Sequence, residues 1–93
     1  MVICIDVDGT LTTGTAWTEA DCLLAEPRFD IIEKVRKLYQ VNFIVIWTAR
    51  RENLLLPTIE WLRKNGVPFH AIAIGKTPAD LYIDDRSVKP EDV

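Results

Sequence analysis

Four aspartates dominate the chemistry open to this chain: Asp6 and Asp8, two residues apart, and the adjacent pair Asp84-Asp85. Each set follows a short apolar run, Val2–Ile5 or Leu81–Ile83. Two further runs lead into polar groups of other kinds. Phe43–Trp47 runs into Thr48-Ala49-Arg50-Arg51, and Ala71–Ile74 is followed by Gly75 and Lys76. Four carboxylates in one mouth repel one another unless a hard cation neutralises them. Oxygen-only ligation, with no His or Cys beside it, points to Mg²⁺ rather than zinc. Carboxylates, Mg²⁺, an ammonium group and a hydroxyl donor suit a phosphoryl group, whose charge must be shared and clamped in transfer. An aspartate at a strand end can itself be the nucleophile, through an aspartyl-phosphate intermediate. A second aspartate two residues on can protonate the leaving oxygen and then activate water.

These groups lie far apart in sequence, so the fold has to gather them. The four apolar runs are unbroken rather than alternating, which predicts strands of a parallel sheet covered on both faces. Between the first two lies Pro27–Gln40, with Ile31, Ile32, Val35, Leu38 and Tyr39 at helical spacing. Between the second and third lies Arg51–Asn65, with Leu55, Ile59 and Leu62 on one face and Gly66 as its stop. Pro57 falls inside that window, so this helix starts near Leu56 or kinks there. Strand–helix–strand–helix–strand predicts an α/β fold with right-handed crossovers. In an open parallel sheet, ligands bind beyond the carboxyl ends of the strands, where all four polar sets would converge. Gly9–Glu26 reads as a loop or a short hairpin. Gly75–Asp80 is short for a parallel crossover, which normally takes a dozen or more residues. That segment must run nearly extended, or the last strand is placed unusually.

Ninety-three residues fit one domain, residues 1–93, and leave no room for a second core. With 48% apolar and 27% charged residues the chain is globular in class, not disordered or fibrous. Eleven Lys and Arg against fourteen Asp and Glu give a net charge of −3, which argues against a nucleic-acid partner. No apolar run approaches the roughly 20 residues of a membrane span, and Asp6 interrupts the first run before a signal-peptide core could form. Cys4 and Cys22 form no CxxC pair, so two reduced thiols in a cytoplasmic protein are expected.

Asp6-Val7-Asp8-Gly9-Thr10-Leu11 resembles motif I of the haloacid dehalogenase-like (HAD) phosphatase superfamily. Thr48 resembles its motif II, Lys76 its motif III and Asp84-Asp85 its motif IV, all in the family's order. The resemblance implies a three-layer, Rossmann-like HAD core with a small, mostly parallel sheet. It implies Asp6 as nucleophile and metal ligand, and Asp8 as general acid and base that also touches the metal. Thr48 would bond the phosphoryl oxygens, Lys76 would balance charge, and Asp85 would hold Mg²⁺ with Asp84 beside it. Gly9, Thr48, Ala49, Arg50 and Lys76 would line the substrate side. Family members usually carry a cap domain; the short spacings here match a capless, minimal member. The segment Lys76–Arg86 is similar to small capsule-polysaccharide biosynthesis phosphatases.

The implied activity is hydrolysis of a phosphate monoester, on a substrate that brings its own cover, such as a polymer end or a large sugar phosphate. A nucleotidase or polynucleotide 3′-phosphatase is the near alternative, and a non-catalytic domain that keeps the fold is the distant one. Arg50, Arg51 and Arg86 flank the expected mouth and can grip a substrate carboxylate or second phosphate, or form surface ion pairs. Trp17 can stack on a substrate, pack in the core or meet another chain. Trp47 and Trp61 are expected in the core, His70 in a structural role, Cys4 buried and Cys22 in a loop. The short sheet and its apolar last strand predict a homo-oligomer.

Overall fold

The structure, a computed structural model, describes residues 1–93. Its elements run β1 (Val2–Ile5), α1 (Glu19–Leu24), α2 (Phe29–Tyr39), β2 (Phe43–Thr48), α3 (Leu55–Lys64) and β3 (Ala71–Ile74), with 3₁₀ turns at Glu52–Leu54 and Pro90–Asp92. The three strands form one parallel sheet in the order β1-β2-β3. Ile5 pairs with Ile46, and Thr48 with Ile74. The expected α/β class, with a parallel sheet and no cap, is what folds.

The strands follow one another in one direction across the sheet, and crossovers of one hand then carry both helices to the same face. Ile5, Ile44 and Ile46 of that face join Ile31, Ile32 and Val35 of α2 and Trp61 and Leu62 of α3 in a single core. The Trp61 indole also donates to the Ala25 carbonyl at 2.9 Å, tying α3 to the segment before α2. The opposite face is open. Val2, Cys4, Phe43 and Trp47 are exposed there, so Cys4 is not buried and Trp47, 41% exposed, is not core. Of the three layers expected, this chain builds the sheet and one helical layer, because nothing after β3 forms an α-helix.

The fourth expected strand is absent. Leu81, Tyr82 and Ile83 lie in irregular chain, exposed at 73%, 45% and 92%. Six residues after β3 do not supply the crossover that a parallel neighbour needs. The tail instead returns to α2, where the Lys34 ammonium donates to the Pro90 carbonyl at 3.3 Å.

Local chemistry explains the helix ends. Pro57 occupies the first turn of α3, where its missing N–H costs nothing, so the helix can start at Leu55. Gly66 adopts φ +69° just past α3, and its neighbourhood is closed by the Arg36 guanidinium, which donates to the Gly66 and Asn65 carbonyls. The loop expected over Gly9–Glu26 contains a helix, α1, and Cys22 is buried on it. A capping box starts that helix. Thr18 accepts from the Asp21 N–H, and the Asp21 carboxylate accepts from the Thr18 and Trp17 N–H groups at 3.1 Å each. Those backbone donors hold the Asp21 carboxyl below the usual aspartate range. Its stabilising effect is complete above that range and is lost as pH falls through the lowered value. Thr18→Ala is expected to cost about 1 kcal/mol, read from urea unfolding and from faster hydrogen exchange of the α1 amides. No helix is long and apolar enough to cross a membrane.

Candidate active site

Asp6 follows the last residue of β1, and the chain then wraps around one backbone oxygen. The Val7 carbonyl accepts from the N–H groups of Thr10, Leu11 and Thr12 at 2.9–3.1 Å. Val7 and Leu11 are fully buried, which anchors this turn in the core. Asp6 and Asp8 flank Val7 and both remain partly accessible, with Gly9 exposed at the turn. One Asp6 oxygen accepts from its neighbour's amide, Val7 N–H, at 2.8 Å. The other lies 3.1 Å from the Lys76 ammonium.

Lys76 arrives from 70 residues away because β3 ends beside β2. Gly75 takes φ +95°, a turn that other residues rarely make, and the Lys76 amide then bonds back to the Thr48 carbonyl at 3.2 Å. Its ammonium sits over two aromatic rings, 5.1 Å from the centre of Trp47 and 4.5 Å from that of Tyr82. Tyr82 closes a small loop, since its hydroxyl donates to the Thr77 carbonyl and accepts from the Ala79 amide. Trp47 and Tyr82 were not expected here. Trp47 carried a signal, as the residue next to Thr48 at the strand end; Tyr82 carried none.

Thr48 is buried at the end of β2, and its hydroxyl accepts from the Arg50 N–H at 3.0 Å. The side chain therefore shapes the Thr48-Ala49-Arg50 turn, and the helix cap of α3 falls elsewhere, at Leu54. Ala49 is half-buried in that turn.

Arg50 departs most from expectation. It is 5% exposed and turns inward. Its Nε donates to one Asp8 oxygen at 3.0 Å and Nη2 to the other at 2.7 Å, while Nη1 donates to the Thr58 hydroxyl at 2.9 Å. A guanidinium committed in this way is not free to grip substrate, because its planar fork is already matched to a carboxylate. Arg51 is exposed, as is Arg86. Cys22 lies near Arg50 and Thr58, and burial pushes its thiol up, which keeps it protonated.

The structure brings Asp6 to Lys76 and Asp8 to Arg50. It does not bring Asp84 and Asp85 to them. Asp84 accepts from the Arg86 amide at 2.8 Å, and Asp85, with a side chain 88% exposed, faces the Arg86 guanidinium at 3.9 Å. No group of three or more His, Cys, Asp or Glu is placed to hold a metal ion. Both oxygens of Asp8 serve Arg50, and those of Asp6 serve Lys76 and an amide. The four aspartates expected to hold Mg²⁺, Asp6, Asp8, Asp84 and Asp85, are not gathered into one cluster.

His70 is structural, at the far end of the sheet. It stacks between Tyr39 and Phe43 at 4.4 and 4.6 Å, and its Nδ1 accepts from the Ile44 amide. Trp17 is exposed.

No family model and no curated protein matches the chain. Among solved structures, the crystal structure of an MCSG target from Vibrio cholerae is similar at 35% identity and TM-score 0.87, over 97% of this chain and 84% of that one. A chain of the Pnkp1/Rnl/Hen1 RNA repair complex is similar at 19% identity and TM-score 0.69, over 86% of this chain and 27% of that one. A chain from a second structure of the Pnkp1/Rnl/Hen1 complex gives 20% and 0.67, over 97% and 32%. These last two share the fold of this chain.

Proposed function

We propose that this chain, which belongs to the family of that Vibrio cholerae protein, is an HAD-like phosphatase that hydrolyses a phosphate monoester through Asp6. One observation carries the reading: an aspartate at the carboxyl end of the apolar edge strand β1 lies 3.1 Å from a lysine 70 residues away. A paired Asp and Lys at a sheet mouth provide a nucleophile and a counter-charge for the incoming phosphoryl oxygens.

In the first step an Asp6 carboxylate oxygen attacks phosphorus and the bond to the leaving oxygen breaks. Asp8 relays a proton from solvent to that oxygen, and the alcohol departs. In the second step water attacks the phosphorus of the aspartyl phosphate while the Asp8 carboxylate takes the water's proton. Inorganic phosphate leaves and Asp6 is restored. Lys76 neutralises charge on the phosphoryl group throughout, and the Thr48 hydroxyl proton, which has no acceptor among its neighbours, is available to a phosphoryl oxygen.

A second reading, a polynucleotide 3′-phosphatase, is favoured by the likeness to chains of an RNA repair complex. The net charge of −3 weighs against it, since polynucleotide binding draws on clustered Lys and Arg. Phosphate release is to be measured on a generic aryl phosphate, sugar phosphates, nucleotides and a 3′-phosphorylated oligonucleotide, in buffer with and without Mg²⁺. Release from the small esters with no preference for the oligonucleotide is expected. Preference for the oligonucleotide selects the second reading, and no release from any substrate defeats both.

A further inference from the structure

The sequence offers Arg50 as a substrate grip or a surface ion pair, yet it is among the most buried charged groups of the molecule. A buried guanidinium is costly unless its donors are matched, and here three nitrogens are. Two bond the two oxygens of Asp8 in a fork, at 3.0 and 2.7 Å, and the third reaches Thr58 at 2.9 Å. Thr58 is itself fully buried on α3, and the Arg50 amide is pinned by the Thr48 hydroxyl. Arg50 thus joins the turn after β1, the turn after β2 and the body of α3.

Asp8 needs such a brace. It is partly exposed, and the only side-chain hydrogen bonds it makes are those from Arg50. The fork fixes the carboxylate plane while leaving lone pairs on each oxygen that Arg50 does not use. A carboxylate held this way presents the same oxygen edge in both proton-transfer steps, which demand alignment within hydrogen-bond reach.

We propose that Arg50 is a positioning residue: it holds Asp8 in the orientation from which Asp8 reaches the leaving oxygen, and it does not contact substrate. The proposal rests on the phosphatase reading above.

Arg50→Lys tests it, because a lysine keeps the charge but cannot make the fork and the Thr58 bond together. The expected result is a fall in kcat on the order of 10²-fold with KM within about twofold, as for a misplaced catalytic group. Added to Asp8→Asn, the same substitution should cause no further loss, since nothing remains to be positioned. Thr58→Val removes the α3 anchor of Arg50 and a neighbour of the Cys22 thiol, and should lower kcat about threefold to tenfold, again without moving KM; it carries the test if Arg50→Lys does not fold. A raised KM at unchanged kcat would return Arg50 to the role of substrate grip and overturn the proposal. A loss that simply multiplies with that of Asp8→Asn would overturn it too. These outcomes all require an active wild-type enzyme. A wild type inactive on every phosphate ester would instead defeat the phosphatase reading, and this proposal with it.

Discussion

Asp6→Asn abolishes turnover, by a factor expected to be on the order of 10⁴ or more, while the protein stays folded. The amide keeps the shape of the side chain and still accepts from the Val7 amide through its carbonyl oxygen, but it has no carboxylate to attack phosphorus. It also removes the partner of Lys76. That pair is partly open to solvent, and its loss is expected to cost no more than about 1 kcal/mol. Single-turnover assays with a radiolabelled phosphate ester separate the mechanisms, since wild type should carry acid-stable label on the protein and Asp6→Asn none. Substantial turnover by Asp6→Asn would mean that water attacks directly and that Asp6 only orients the phosphoryl group. Asp8→Asn, by contrast, should lose on the order of 10²–10⁴-fold and still form the labelled intermediate from substrates with good leaving groups.

The largest effect on stability is expected at Trp61. This residue is 1% exposed, fills the core between α3 and the sheet and donates to the Ala25 carbonyl. Trp61→Ala opens a cavity and orphans that carbonyl, for an expected loss of about 3–5 kcal/mol. A domain of this size has only about 5–15 kcal/mol in all, so the variant should be largely unfolded near 37 °C. Trp61→Phe keeps most of the volume and loses the hydrogen bond, with an expected cost of about 1–2 kcal/mol. Urea unfolding followed by far-ultraviolet circular dichroism gives both numbers. A loss below about 1 kcal/mol for Trp61→Ala would mean that α3 is not part of the cooperative core.

Several elements were legible because their causes are local. Ile31, Ile32 and Val35 recur at helical spacing, and α2 forms around them. Gly66 stops α3 because it alone among nearby residues takes a positive φ without strain. Asp6 could be placed at a strand end because Val2–Ile5 is short, apolar and followed at once by carboxylates. Other features were hidden because their causes lie elsewhere in the chain. The alternation of exposed and buried residues along β2 follows from which face the helices cover, and an unbroken apolar run does not record that. Trp47 and Cys4 look like core residues in sequence and lie on the open face in the fold.

The chain by itself determined the parallel α/β plan and the strand ends that carry chemistry. Periodicity, apolar runs and glycine positions are properties of neighbouring residues, and right-handed crossovers then leave few ways to assemble them. Only the tertiary structure decided what each charged group does. Arg50 and Arg51 are adjacent and identical in sequence, yet one is buried in a fork with Asp8 and the other is exposed. Asp84 and Asp85 look as much like site residues as Asp6, yet they lie apart from it because Leu81–Ile83 does not join the sheet. Burial and the partner a charge meets depend on contacts between segments tens of residues apart, and those are set by the packing of α3 and the sheet rather than by any local pattern.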